Sequence, residues 1–259
     1  MLTQRSFTRN CILATCAAIG LAGCGSGNNS LGPGGNTTSR VRMFNALACP
    51  DASSLDVAER TNTEIAFSGV GYSQATDYVT LPSGNGINHF ILKAGTRTEE
   101  APQTPLTLKP NTNYTFAAIG DCAQTISALS PKLIELTDTV PNSLNGSMIS
   151  IRLVNITPSA DLTTESVDLY NQGQPIGGLG GVLYGKASEY VTLPSGPNYD
   201  FTVRTTGSHN PVTIPANSLS TLNSDAAMGG GAYTVFLIGE INGSAAAGPL
   251  NIKIVKDNP

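Results

Sequence analysis

A long internal repeat constrains the fold of this chain more than any other feature. Residues 70–84 read VGYSQATDYVTLPSG, and residues 182–196 read VLYGKASEYVTLPSG. Ten of these 15 positions are identical, at a constant offset of 112 residues. After a short insertion in the second copy, an offset of 119 carries residues 114–120 onto residues 233–239. A repeat of this length indicates a duplicated domain rather than a solenoid unit.

The repeat divides most of the chain into two modules. The first module is predicted at residues 40–139 and the second at residues 147–259, with a linker at residues 140–146. We expect each module to fold as a separate domain, because each copy carries the complete set of repeated motifs.

Both modules show β-type patterns. Residues 41–44 and 149–154 alternate or run apolar with branched side chains, and residues 199–204 alternate strictly between apolar and polar, as in a half-buried strand. Turn sequences such as Leu-Pro-Ser-Gly-Asn-Gly recur between such segments. About seven short strands in about 100 residues are typical of a β-sandwich. The sequence therefore predicts an all-β protein of two tandem modules, each an immunoglobulin-like or a transthyretin-like β-sandwich.

The amino-terminal segment is typical of an exported bacterial lipoprotein. Arg5 and Arg9 precede an apolar stretch at residues 11–22. That stretch is shorter than the ~20 residues that a membrane-spanning helix needs, and it has the layout of a secretory signal. It ends in LAGC, which resembles the box read by the lipoprotein signal peptidase, and we expect Cys24 to be acylated. The alternative is an ordinary signal peptide that contains a cysteine.

Cleavage of a lipoprotein signal peptide at residues 1–23 would leave a lipidated amino terminus. Residues 24–39 are rich in Gly, Ser and Asn, which predicts a flexible tether. The acyl chains would hold the protein at a membrane. In enteric bacteria an Asp after the cysteine tends to retain lipoproteins at the inner membrane. Gly25 follows Cys24 here, so by that resemblance we expect the outer membrane, on either its periplasmic or its surface face.

Charge and cysteine content exclude some classes of site. The net charge is −4 and the basic residues form no cluster, which disfavours nucleic-acid binding. Cys49 and Cys122 lie outside the signal and the lipidation box, and we expect them to form a disulfide in an oxidising compartment. The alternative is a pair of free thiols. Two histidines and no Cys-x-x-Cys motif predict no metal site and no cofactor.

The order of the repeated motifs resembles a known family. The copies open with Arg-Met-Phe-Asn and Arg-Leu-Val-Asn, continue through Tyr-x-x-Ala-x-x-Tyr-Val-Thr-Leu-Pro-Ser-Gly, and end with Tyr-Thr-x-x-x-Ile-Gly. This order is similar to the bacterial domain of unknown function 4397, often found in tandem in cell-surface and lipoprotein chains. The resemblance covers nearly all of residues 40–259. It implies a fold and a location in the cell envelope, and it assigns no activity.

The tyrosines are the most suggestive repeated side chains. Six of the eight fall into matched pairs, which are Tyr72 and Tyr184, Tyr78 and Tyr190, and Tyr114 and Tyr233. They could form a duplicated ligand platform, but we favour a structural role in which the rings pack at strand ends and the hydroxyls bond to the backbone. Both copies need the same fold, whereas they need not share a site.

No catalytic residue is predicted. His89 aligns with an aromatic residue of a strand, His209 lies in a loop, and Glu99 and Glu100 point to opposite faces if they lie on a strand. The chain has no tryptophan, which weakens a lectin hypothesis. We therefore predict a lipid-anchored cell-envelope protein that serves as a non-catalytic interaction or structural module, with an envelope protein or glycan as a possible partner. The alternative is a carbohydrate-active or other hydrolytic enzyme with an unrecognised site.

Overall fold

The computed structural model describes residues 38–49, 54–59, 65–88, 90–95, 97–100, 106–123, 127–141, 144, 146–158, 166–196, 199–207, 230–239 and 248–257. Residues 35–259 belong to one compact unit. The all-β prediction is confirmed: among these residues the only helical element is a 3-10 turn at Ser127–Leu129. No helix in the described residues is long and apolar enough to span a bilayer.

The strands of the first module are β1 (Thr38–Ala48), β2 (Ser54–Glu59), β3 (Ile65–Gly71), β4 (Val79–Pro82), β5 (Gly84–Asn88), β6 (Phe90–Ala94), β7 (Arg97–Glu100), β8 (Leu106–Leu108), β9 (Asn113–Asp121) and β10 (Lys132–Thr137). One sheet, which we call the inner sheet, has the order β10-β9-β1-β4. A second, outer sheet has the order β3-β2-β6-β7, and β5 pairs with β8.

The strands of the second module are β11 (Met148–Asn155), β12 (Val167–Asn171), β13 (Gln174–Pro175), β14 (Lys186–Ala187), β15 (Val191–Pro194), β16 (Phe201–Thr205), β17 (Gly231–Ile238) and β18 (Asn251–Lys256). Its inner sheet has the order β14-β11-β17-β18, and β15 also pairs with β11. Its outer sheet has the order β13-β12-β16.

The strand pairing repeats along with the sequence. β1 runs parallel to β9, and β11 runs parallel to β17. The antiparallel neighbours match as well, since β10 pairs with β9 as β18 pairs with β17, and β4 pairs with β1 as β15 pairs with β11. The repeat in the sequence therefore corresponds to a repeat in topology. The domain boundaries, and the folding of the modules as separate domains, stay predictions.

The central strands of both inner sheets are buried on both faces. β9 and β17 are buried along almost their whole length, whereas a strand with one wet face would alternate. Every second side chain, such as Val41 and Met43 on β1, enters the hydrophobic core between the inner and outer sheets of its own module. The side chains between them, such as Phe44 and Ala46, enter a third hydrophobic cluster that contains residues of both modules. The two inner sheets therefore pack against each other.

The disulfide joins the ends of two neighbouring strands. Cys49 directly follows β1 and Cys122 directly follows β9, and these strands are parallel with Ala48 opposite Asp121. The Cα atoms of the two cysteines are 5.0 Å apart, and the amide of Cys122 donates to the carbonyl of Ala48 at 2.8 Å. The expected Cys49–Cys122 bond is therefore present and closes one end of the first inner sheet.

Candidate functional site

A buried polar cluster lies in the interface between the inner sheets. It consists of four side chains from each module, at positions that the repeat makes equivalent: Arg42, Tyr78, Thr115 and Asp138 in the first module, and Arg152, Tyr190, Thr234 and Asp257 in the second. We call it the interdomain polar cluster. The alternation of the inner strands explains its position, because Arg42 is one residue away from core-facing Val41 and Met43 and therefore faces the other module.

One half of the cluster centres on Arg42. Its Nε donates to the Thr115 hydroxyl at 2.8 Å within the first module, and its Nη1 donates to the backbone carbonyl of Lys256 at 2.6 Å in the second. Its Nη2 forms an ion pair with Asp257 of the second module. The guanidinium also lies 5.0 Å from the ring centre of Tyr78, a cation–π distance.

The other half repeats these contacts with the modules exchanged. Nε of Arg152 donates to the Thr234 hydroxyl at 2.8 Å, and Nη1 donates to the Thr137 carbonyl of the first module at 2.8 Å. Nη2 forms an ion pair with Asp138, and the ring of Tyr190 lies 4.8 Å from the guanidinium. Each module thus supplies one arginine to the other.

The two carboxylates complete the network. Asp138 accepts from the Tyr78 hydroxyl at 2.8 Å and from Thr115 at 2.7 Å, in addition to the bond from Nη2 of Arg152. Asp257 accepts from Tyr190 and Thr234, both at 2.8 Å. Two arginines and two aspartates balance each other in charge. Burial of ions is tolerated when they are paired and hydrogen-bonded in this way.

The environment shifts the ionisation of these groups. Burial raises the pKa of Tyr78 and of Tyr190, and the neighbouring carboxylates raise it further, so both phenols stay protonated and act as donors. Burial alone would lower the pKa of Arg152. Its neighbours Tyr190, Asp138 and Asp257 raise that pKa by more, so the guanidinium stays charged. Burial also raises the pKa of Asp257, against the opposing effect of the two arginines. The charged and hydrogen-bonded groups of the cluster therefore hold the two inner sheets together.

An apolar contact lies beside the polar cluster. The rings of Phe44 and Phe236 stack with their centres 4.0 Å apart and an angle of 5° between their planes. The surrounding buried side chains come from both modules and are Ala46, Ala117, Ile119, Leu136, Val154, Ile156 and Ile238. The interface therefore combines an apolar centre with a charged end.

A polar groove opens next to the cluster. Its volume is about 330 Å³, and it lies between β10 of the first module and the segment from Gly185 to Tyr190 of the second. Glu135, Lys186 and Glu189 bring charges to its walls. Burial raises the pKa of Glu135, and Lys109 opposes this shift. The groove therefore lies at the junction of the two modules and has a polar, charged lining.

The structure gives different surroundings to the tyrosines that the sequence analysis singled out. Tyr78 and Tyr190 lie in the interdomain polar cluster, where their hydroxyls bond to carboxylates rather than to the backbone. Tyr114 does bond to the backbone, since its hydroxyl accepts from the amide of Lys109 at 3.0 Å. Tyr184 is partly buried against the apolar contact.

Other candidates gain no structural support. Glu99 and Glu100 belong to edge strand β7. Cys24, His89 and His209 lie outside the described residues. No group of three or more His, Cys, Asp and Glu side chains that could hold a metal occurs in the part of the chain that the structure describes.

Sequence reasoning did not identify the arginines and aspartates of the cluster as a site. A signal was present, because Arg42 and Arg152 lie between buried apolar neighbours at equivalent positions, and Asp138 and Asp257 follow the last strand of each module. A charge at the same place in two buried strands indicates a buried partner. Only the packing of the two modules shows that each partner belongs to the other copy.

The fold and the cluster together define a protein of two fused, similar all-β modules that are joined through their repeated polar residues. The family comparison agrees with this division. The chain belongs to the family described as "Domain of unknown function (DUF4397)", whose profile matches it twice, over residues 39–163 and 149–258. No curated protein matches the chain.

Proposed function

We propose that this chain is a lipid-anchored cell-envelope protein that acts as a non-catalytic structural or interaction module. One observation carries the proposal: the arginines and aspartates of the interdomain polar cluster, which the two copies share, pair with each other across the modules. Arg42 pairs with Asp257 and Arg152 pairs with Asp138, and both tyrosines of the cluster donate to these carboxylates. In this proposal the repeated residues of the cluster hold the two modules together.

The sequence before the fold supports attachment to a membrane. The LAGC box places Cys24 after a short apolar stretch, and residues 25–37 separate it from the start of β1 at Thr38. A single acyl chain binds a membrane only marginally, but two or three chains anchor a protein stably. In this proposal the lipid fixes the chain to the outer membrane, and the two modules contact an envelope protein or glycan.

The anchor can be tested with two cysteine substitutions in the expressed full-length chain. Cys24→Ala should abolish incorporation of labelled fatty acid and should leave an uncleaved or soluble protein. Cys16→Ala is the matched control, since this residue lies inside the apolar stretch before the box, and it should be processed and fractionate like the wild type. If the Cys24 variant is still acylated and recovered with the membrane at its normal size, the anchoring proposal is wrong.

A hydrolytic enzyme is the second candidate, and the polar groove is the observation that favours it. Glu135 and Glu189 both line the groove, and burial raises the pKa of Glu135, as is common for a general acid. Purified protein should be assayed on envelope polysaccharides, with Glu135→Gln as the test variant and Asp77→Asn as an exposed acidic control. Turnover by the wild type that is lost in Glu135→Gln would replace the non-catalytic proposal; equal background in all three proteins would support it.

A further inference from the structure

The interface between the modules has the form of a two-fold symmetric dimer interface. The ion pair from Arg42 to Asp257 recurs as the pair from Arg152 to Asp138, and the carbonyl contacts recur in the same way. In a symmetric dimer, residue i of one subunit contacts residue j of the other, and the reverse contact also occurs. Here the two modules of one chain take the place of the two subunits.

The two modules meet without sharing a sheet. Every strand pairing among the described residues joins strands of the same module, and each module encloses its own hydrophobic core. Separation of the inner sheets would therefore break side-chain contacts but no β-ladder. The same contacts would form again if the second module came from another molecule.

We propose that the inner sheet of each module is a docking surface for the opposite module of a second copy of this chain. In the resulting dimer the first module of one molecule packs on the second module of the other, and the reverse, so both interdomain polar clusters are complete. The closed monomer and this exchanged dimer have the same contacts between modules and differ in which molecule supplies the second module. Such an exchange is a low-cost route to a dimer, because the contacts are already formed in the monomer.

The apolar part of the interface selects opposite modules over like modules. The repeat places Val154 of β11 at the position of Phe44 in β1, and Phe236 of β17 at the position of Ala117 in β9. Pairing of two first modules would set Phe44 against Ala117 twice and would lose the stack on Phe236. The exchanged dimer keeps the stack at both interfaces and is therefore the favoured assembly.

Concentration decides between the two forms. The covalent connection between the modules gives the intramolecular contact an effective concentration on the order of mM, as is usual for short linkers. Dilute protein therefore stays a monomer, whereas refolding at high protein concentration yields exchanged dimers. The proposal concerns the modules alone and does not depend on the lipid anchor.

Charge exchange at one ion pair tests the proposal. Two variants of residues 24–259, each also carrying C24A, are needed: R42D, which sets two carboxylates against each other in the monomer, and D257R, which sets two guanidinium groups against each other. In an exchanged dimer of one copy of each, one interface has the pair reversed and the other has the wild-type pair. Co-refolding the two variants should therefore give at least about ten-fold more dimer, by light scattering, than either variant alone.

Two controls make the result specific. The double variant R42D/D257R restores the pair within one chain and should be a monomer when dilute. Mixed with wild type, it should form no mixed dimer, because both new interfaces would bring like charges together. R42D and D257R that are folded by circular dichroism yet remain monomers after co-refolding would overturn the proposal.

A second measurement applies if the single variants fail to fold. Wild-type protein with two different tags is unfolded, mixed and refolded at high concentration, and mixed dimers are counted by native mass spectrometry. Dimers that contain both tags, and that revert to monomers only after unfolding, support exchange. Recovery of monomers alone contradicts it.

Discussion

Asp138→Asn should destabilise the protein strongly, although it removes no atom from the core. Asp138 accepts bonds from Tyr78, Thr115 and Arg152, and the arginine comes from the other module. The amide keeps one oxygen acceptor but loses the charge. Arg152 is 3% exposed and stays charged, so the substitution leaves a buried cation without its counterion.

Removal of one partner from a buried ion pair costs about 3–5 kcal/mol. The loss is large against the total of about 5–15 kcal/mol that stabilises a typical domain. The double variant Arg152→Met with Asp138→Asn should cost less than the sum of the two single changes, because the second substitution removes the unpaired group. We expect a coupling energy of about 1–3 kcal/mol, as is usual for residues in direct contact.

Urea unfolding of a chain that lacks residues 1–24, followed by circular dichroism, measures these differences. Asp77→Asn is the matched control: this residue precedes Tyr78, is exposed, and should change the free energy of unfolding by less than about 0.5 kcal/mol. A loss below about 1 kcal/mol for Asp138→Asn, or strict additivity with Arg152→Met, would refute the view that the buried charges hold the modules together.

Three further outcomes are expected from the same assay. Gly239→Ala should cost about 2 kcal/mol or more, because Gly239 has φ of +84° and an added Cβ would clash with the backbone oxygen of Pro249. Gly146→Ala, with open space around it, should have little effect. Burial raises the pKa of Tyr184, so above about pH 10 the unfolded chain releases a proton that the native chain keeps. The free energy of unfolding should therefore fall by about 1.4 kcal/mol per pH unit because of this residue, and Tyr184→Phe should reduce that slope. Reduction of the Cys49–Cys122 bond, which closes a sequence separation of 73 residues, should cost about 4 kcal/mol, and a double Ser variant should be insensitive to reductant.

The sequence predicted the features that depend on local pattern. The repeated segment that ends in Leu-Pro-Ser-Gly led to the division into modules, and the patterns at residues 149–154 and 199–204 located β11 and β16. The two cysteines that lie outside the signal and the lipidation box predicted the Cys49–Cys122 disulfide in an oxidising compartment. The first two inferences use residues that are close in sequence or matched by the repeat, and the third uses the number of cysteines and the expected compartment.

The sequence could not predict which face of each inner strand meets the other module. A strand buried on both sides has no polar face to orient it, so Phe44 and Met43 look alike in the sequence although they enter different clusters. The tyrosine hydroxyls were expected to bond to the backbone. Tyr78 and Tyr190 instead donate to Asp138 and Asp257, whose burial follows only from the packing of two modules.

The pairing of Arg42 with Asp257 spans 215 residues, so the two modules cannot reach each other at the same moment during the proposed export. The amino-terminal module enters the oxidising compartment first, and its apolar inner sheet is exposed to water there until the second module arrives. Exposed sheets of this kind invite aggregation. The disulfide lies only in this module and ties together β1 and β9, the central strands of the waiting sheet. We expect the disulfide to stabilise the first module most in that interval, before the second module covers its inner sheet.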